Sequence, residues 1–193
     1  MKVFLSWHRR KAKFRYPSEP VPRTAVLEPW FATRSTDPRV RVFEPHLLKS
    51  RLEDQLRNEL ERFAPQAIAV SWQQIEELTN SVRERPGIAP THAVVVLHRS
   101  DRAGAIEFVP LGADDRERLW RAFHVPIFEQ VIGPRGVLLA TECAAHDGLH
   151  IESPGLQIDG YVVGSPCGCG RNTPRLLPSQ PVERLRAAAA YAR

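Results

Sequence analysis

The chain has 193 residues, of which 42% are hydrophobic and 25% charged, with a net charge of +5, the proportions of a globular protein of one domain rather than a disordered or fibrous chain. No apolar run approaches the roughly 20 residues that a membrane-crossing helix needs, and the opening Met1-Lys-Val-Phe-Leu-Ser-Trp-His-Arg-Arg lacks the long apolar stretch of a secretory signal. Three cysteines, an odd number without an export signal, fit a reducing compartment and metal ligation better than disulfides, so the expected location is the cytoplasm with no membrane partner.

Residues 1–40 read as a basic, proline-containing N-terminal arm, irregular or weakly stranded. Lys2, Arg9, Arg10, Lys11, Lys13 and Arg15 supply charge there, and Trp7, Phe14 and Tyr16 are interleaved. Such a segment could hold nucleic acid through phosphate contacts and stacking, but a solvated arm is the plainer reading. Val40-Arg-Val-Phe43 alternates as a short strand does. Leu48, Leu52, Leu56, Leu60 and Phe63 recur at helical spacing, so residues 46–63 are predicted as an amphipathic helix, which Pro65 ends.

Ala67–Val70 is a short apolar run expected as a buried strand. Ser71 should cap the next helix with Gln74 as its partner; Trp72, Ile75, Leu78 and Val82 form its buried stripe, and Pro86-Gly87 stops it. His92–Leu97 is β-branched and uninterrupted, like a central parallel strand covered on both faces. Ala105–Val109 is a further strand. Asp114 or Asp115 opens a helix to about Phe123, with Leu119, Trp120 and Phe123 expected against the sheet. Val125–Phe128, Gly136–Thr141, Leu149–Ile151 and Gln157–Val163 follow as strands, the last two in a smaller antiparallel region. Val182–Tyr191 is alanine-rich, and a C-terminal helix is assigned to 179–193. The alternation of strands and helices indicates an α/β fold: a mixed, mostly parallel sheet with flanking helices over residues 41–178, plus a small antiparallel region pinned by metal.

The three cysteines sharpen that last expectation. Cys143, His150, Cys167 and Cys169 read as C-x6-H-x16-C-x-C. Three thiolates and one imidazole close a tetrahedral shell around Zn(II) and leave no place for a catalytic water, so the metal holds structure rather than doing chemistry. Glycines 168 and 170 let the backbone fold beneath the sulfurs. His146 competes with His150 for the fourth position. His150 is preferred because it opens a strand, whereas His146 sits in a loop beside Asp147-Gly148.

The stretch from Asp115 to Leu177 resembles phenylacetate–coenzyme A ligases and their adenylate-forming relatives. The residues that carry the resemblance are Leu119-Trp-Arg-Ala-Phe-His-Val-Pro-Ile-Phe128, the segment Gly136 to Ile151 with its Glu-Cys and Gly-Leu-His-Ile, and Pro166-Cys-Gly-Cys-Gly-Arg-Asn-Thr-Pro-Arg-Leu176. Some members bind a structural zinc through the residues that correspond to Cys143, His150, Cys167 and Cys169. The departures matter as much. The ligases carry a Tyr-Gly-x-Thr/Ser-Glu motif after the matching strand, where this chain has Glu129-Gln-Val-Ile-Gly133. Their phosphate-binding loop has no counterpart, and their hinge and lysine-bearing domain would begin where this sequence stops. Adenylyl transfer depends on such positioning groups, so the resemblance implies a protein without that activity.

No Gly-x-Ser-x-Gly elbow is present. His98, Asp101 and Glu107 could meet in space but read as ordinary strand-end polar residues, as do His92 and His124. The expected function is therefore a non-catalytic, zinc-stabilised binding or scaffold protein, taking a protein partner or an acyl or aryl small molecule between Ala67–Val70, His92–Leu97 and the segment after Phe128. Two alternatives are a subunit of a split ligase completed by a nucleotide-binding chain, and a nucleic-acid-associated protein using the basic front.

Overall fold

In the computed structural model, which describes residues 21–28, 38–43, 53–100, 105–106, 110–133, 136–152, 157–158, 161–164 and 166–177, the β-branched run becomes the centre of the sheet. It forms Ala93–Arg99 (β4), between Ala67–Ser71 (β3) and Ile127–Ile132 (β6), parallel to both. Ala93 through Val96 are wholly buried, as expected for a strand covered on both faces. Beyond β3 lie Thr24–Leu27 (β1) and then Val40–Val42 (β2), also parallel.

On the other side of β6 the chain doubles back. Leu138–Glu142 (β7) runs antiparallel to β6, followed outward by Leu149–Ile151 (β8), Arg175–Leu177 (β11) and Tyr161–Val163 (β10), each antiparallel to its neighbour. The nine-stranded order is β10-β11-β8-β7-β6-β4-β3-β1-β2, and Ala105–Ile106 (β5) pairs in parallel with Gln157–Ile158 (β9) in a separate two-stranded sheet. Only β7 and β11 run against the rest of the nine. The architecture is mixed α/β with a mostly parallel sheet, and the expected antiparallel region is its continuation rather than a separate layer.

Glu53–Phe63 (α1), Ile75–Glu84 (α2) and Ala113–Phe123 (α3) bury one stripe each. Leu56 and Leu60, Ile75, Leu78 and Val82, and Leu119 and Phe123 join one cluster with Ala25, Leu27, Ile68, Val70, Val94, Val96 and Ile127. All three helices thus cover the same face of the sheet. Each fully buried Leu, Ile or Phe stabilises the fold by roughly 1.5–3 kcal/mol, so this cluster is the main source of its stability. The opposite face gathers Val26, Ala69, Val95, Leu97, Phe128 and Ile132, and that cluster includes no helical residue among the described ones. No helix among the described residues is long and apolar enough to cross a membrane.

Several expectations change. β1 lies inside the segment read as an arm, and Ala25, Val26 and Leu27 are core residues. A four-residue strand is buried by its neighbours β2 and β3, which no local pattern announces. Ser71 makes no side-chain cap; it ends β3, Trp72–Gln74 form a 3-10 turn before α2, and the Ser71 amide donates to Glu28 Oε1 at 2.9 Å. Trp120 is not buried with Leu119 and Phe123 but is 52% exposed: it stands at the side of an open cavity lined by Leu111, Ile127 and Leu149 rather than in the helix-covered core. The strand expected over 125–128 starts two residues later and runs to Ile132. The 46–52 part of the first helix, 107–109 of the strand at 105–109, the basic segment 1–20 and the helix at 179–193 lie outside the described residues.

Candidate metal centre

The four residues singled out by spacing come together at the far side of the sheet from β1. Cys143 follows the last residue of β7, His150 is the middle of β8, and Cys167 and Cys169 lie in the turn before β11. Because β8 pairs with both β7 and β11, three neighbouring strands bring distant segments to one point. Their ligand atoms all lie within 4.8 Å of one another. Cys143 Sγ is 3.6 Å from Cys167 Sγ, and Cys169 Sγ is 3.4 Å from His150 Nε2. A tetrahedral ion with metal–sulfur bonds of about 2.3 Å and metal–nitrogen bonds of about 2.0–2.1 Å needs edges of roughly 3.8 and 3.6 Å. These two separations are close to those edges, and Cys143 and Cys167 stand too far apart for a disulfide of about 2.05 Å. This group could hold a metal ion.

Local structure explains why the turns hold their shape. Gly170, at φ +82°, takes the left-handed conformation that closes the Cys167–Gly170 turn, in which the Gly170 amide donates to Cys167 O at 2.9 Å. Arg171 reaches Glu152, just past β8, at 2.5 Å. The facing turn after Cys143 is closed by the His146 amide on Cys143 O at 3.0 Å. Arg175, buried on β11, pairs with the Asp147 carboxylate and donates to Asp147 O at 2.6 Å. Gly148 (φ +80°) passes so close to β11 that a Cβ there would stand 2.7 Å from Leu176 O.

His150 is wholly buried. Its Nδ1 lies 2.7 Å from Thr173 Oγ1; with the proton on Nδ1 donated to that hydroxyl, the Nε2 lone pair faces the sulfurs, the arrangement that orients ligating histidines. Burial, helped by the Arg171 charge, lowers the His150 pKa and keeps the ring neutral as ligation requires. Burial pushes the Cys143 thiol up to about 11, so a metal must displace its proton. Exposed Cys169 is shifted the other way, chiefly by the Arg171 backbone amide. His146 is not brought to the cluster. It turns Nδ1 to Glu142 Oε1 at 3.0 Å and stacks on Phe128 with ring centroids 4.9 Å apart.

A second polar group escaped sequence reasoning. Glu129 on β6 and Glu142 on β7 are both almost fully buried. Glu129 Oε1 accepts from His98 Nε2 and from the Leu111 amide, each at 2.9 Å, and its other oxygen pairs with Arg116 of α3. The same Arg116 nitrogen lies 3.1 Å from the Glu142 carboxylate, which also accepts the Glu129 amide at 2.9 Å. His98 is thus partnered by Glu129; Asp101 and Glu107, its expected companions, lie outside the described residues. His92 sits beside Thr91 Oγ1 at 2.9 Å, and His124 closes α3 in the left-handed conformation at φ 55°. The legible signal for the missed pair was a carboxylate at an inward position of an apolar strand, in Ile127-Phe-Glu-Gln-Val-Ile132 and in Leu138-Leu-Ala-Thr-Glu142.

No family model matches the chain, and no curated protein matches it. Among solved structures it is similar to an open conformation of 2-hydroxyisobutyryl-CoA ligase in complex with 2-HIB-AMP and CoA: identity is 12%, the TM-score is 0.48, and the match covers 72% of this chain and 38% of that one. The chain spans less than two-fifths of the ligase, and a likeness this remote does not establish the family that the Cys/His motif resembles.

Proposed function

We propose that this chain is an α/β binding module whose antiparallel half is pinned by a structural zinc ion, and that it performs no adenylation itself. The observation that carries the reading is the convergence of Cys143, His150, Cys167 and Cys169 within 4.8 Å. Cys3His is a donor set favoured by zinc, and four protein ligands leave no open position for a reacting water. Arg175, buried beside the thiols, and Arg171 offset the surplus negative charge that three thiolates place around a divalent ion.

β6 supports the absence of adenylation. Glu129 through Ile132, the segment that stands where the ligases carry their nucleotide-contacting motif, is a buried strand. Backbone and side chains committed to a sheet are poorly placed to hold a phosphate. Ala67–Val70 and Ala93–Leu97 are paired side by side and buried, so an acyl or aryl ligand would be better accommodated by a cavity after Phe128, along α3, that Glu129 and Glu142 help to line.

Metal content by mass spectrometry tests the reading. About one zinc per chain is expected in the purified protein and a large loss in Cys167→Ser. Mixing the protein with ATP and aryl acids should release no pyrophosphate; release would overturn the non-catalytic part of the proposal while leaving the metal part intact.

A further inference from the structure

The four donors of the Cys/His cluster do not meet solvent alike. Cys143, His150 and Cys167 are buried, at 4%, 0% and 5% exposure, whereas Cys169 is exposed. Glycine flanks it on both sides, and Gly168 and Gly170 are exposed as well. A Cβ added at Gly170 would meet no atom within 4 Å, so a small reagent has open access to this side of the turn. One sulfur of the cluster is therefore reachable from outside while two more lie buried beside it. The ligand atoms are all within 4.8 Å of one another, and Cys143 Sγ is 3.6 Å from Cys167 Sγ.

Ligation to a divalent ion keeps a thiol deprotonated, and the thiolate is the form that attacks an electrophile. We infer that Cys169 is an oxidation site, at which a peroxide starts the release of the metal and closes a disulfide with Cys143. In the first step the Cys169 sulfur attacks one peroxide oxygen. The S–O bond forms, the O–O bond breaks, and the hydroxide that leaves takes up a proton as water. The sulfur is oxidised by two electrons to a sulfenic acid, and the peroxide is reduced. In the second step the Cys143 sulfur attacks that of Cys169. The S–S bond forms, the S–O bond breaks, and the departing hydroxide takes up a second proton. The sum is two thiolates, one hydrogen peroxide and two protons giving one disulfide and two waters.

Cys143 is the resolving thiol rather than Cys167. Cys167 shares with Cys169 a turn closed by the Gly170 amide on Cys167 O at 2.9 Å, and a bridge across a single glycine asks that turn to reshape, because disulfide geometry is specific. Cys143 follows a separate strand, β7, so its bridge leaves the turn closed. With two of the four donors joined to each other, too few remain to hold zinc. The new bond links the end of β7 to the turn before β11, segments that the donors already bring together, and a thiol reductant restores the ligand set by exchange. The inference rests on the metal reading above and extends it to how the site is emptied.

Hydrogen peroxide added to the purified zinc-loaded protein, with a zinc indicator present, tests it. Zinc should be released as one disulfide forms, and peptide mapping should place that bond between Cys143 and Cys169. A 1,3-diketone, which traps sulfenic acids, should label Cys169 when added with the peroxide. Cys169→His keeps four donors of a set that zinc accepts, and should lose its metal to peroxide about ten-fold more slowly. Zinc that stays bound through peroxide treatment, a label on Cys143 or Cys167 instead of Cys169, or release from Cys169→His as fast as from the unsubstituted chain would each overturn the inference. The diketone label, read on the unsubstituted chain, keeps the test decisive should that variant fail to fold. Zinc stoichiometry before oxidation reports on the metal reading separately. Full zinc that survives peroxide sinks this inference alone, whereas a purified protein without zinc whose Cys169 takes the label sinks the metal reading and leaves the oxidation site standing.

Discussion

The choice between His150 and His146 is decided by what each ring touches. His150 lies in β8 with its Nδ1 held by Thr173 and its Nε2 beside Cys169, while His146 is taken up by Glu142 and Phe128. His150→Ala should therefore abolish stoichiometric zinc and lower the melting temperature by many degrees, since structural zinc sites contribute roughly 10–16 kcal/mol of apparent binding energy. His146→Ala should retain about one zinc; metal analysis of the two variants side by side separates them. The pH dependence has a definite sign. The His150 pKa lies below its ordinary value in the folded protein, so the unfolded chain binds that proton more readily. Stability rises with pH through the window between the depressed value and about 6.5, and is lost as pH falls through it. Cys143, raised to about 11, must surrender a proton to metal, so zinc binding, unlike the stability of the metal-free fold, gains from this thiol as pH rises. Zinc affinity measured by competition with a chelator should fall steeply from pH 7.5 to 5.5. The Cys/His cluster was legible in the sequence because cysteines are few and tightly spaced. The Glu129–Arg116–Glu142 group was not, since its members are 13 and 26 residues from Arg116 and only the sheet register unites them.

Among the elements, α3 shows how far a periodic pattern reaches. Leu119 and Trp120 are adjacent and both large, and the sequence assigned both to the core. The packing decides otherwise: Leu119 is 2% exposed in the core and Trp120, beside an open cavity, 52%. Leu119→Ala should cost about 2–5 kcal/mol, whereas Trp120→Ala should cost less than about 1 kcal/mol; chemical denaturation of both variants checks the contrast. The turn between β7 and β8 has a comparable sensitivity. Gly148→Ala places a Cβ against Leu176 O in a left-handed backbone, and a loss of roughly 1–3 kcal/mol is expected from strain and close contact. The helices and the central strand were readable because amphipathic spacing and a β-branched run are local signals. β1 was not, because Thr24–Leu27 is four residues long and acquires its burial only from β2 and β3.

At the scale of the molecule, the sheet joins two kinds of construction. The parallel half, β6-β4-β3-β1-β2, is stabilised by the three helices packed on it. The antiparallel half has a small apolar cluster of Val131, Leu139, Ala140, Leu149 and Leu176, too little burial to match the helix-covered core. The Cys/His cluster, which could hold a metal ion, sits in this more weakly packed half. Zinc removal by chelation should therefore raise hydrogen exchange in β7, β8 and β11 while β3 and β4 stay protected; uniform protection loss would show that the halves do not separate energetically. The most direct test of the central claim is X-ray absorption at the zinc edge on the purified protein. A shell of three sulfurs at about 2.3 Å and one nitrogen at about 2.0 Å is the predicted result. A shell of oxygen and nitrogen alone, or no zinc above background, would contradict it.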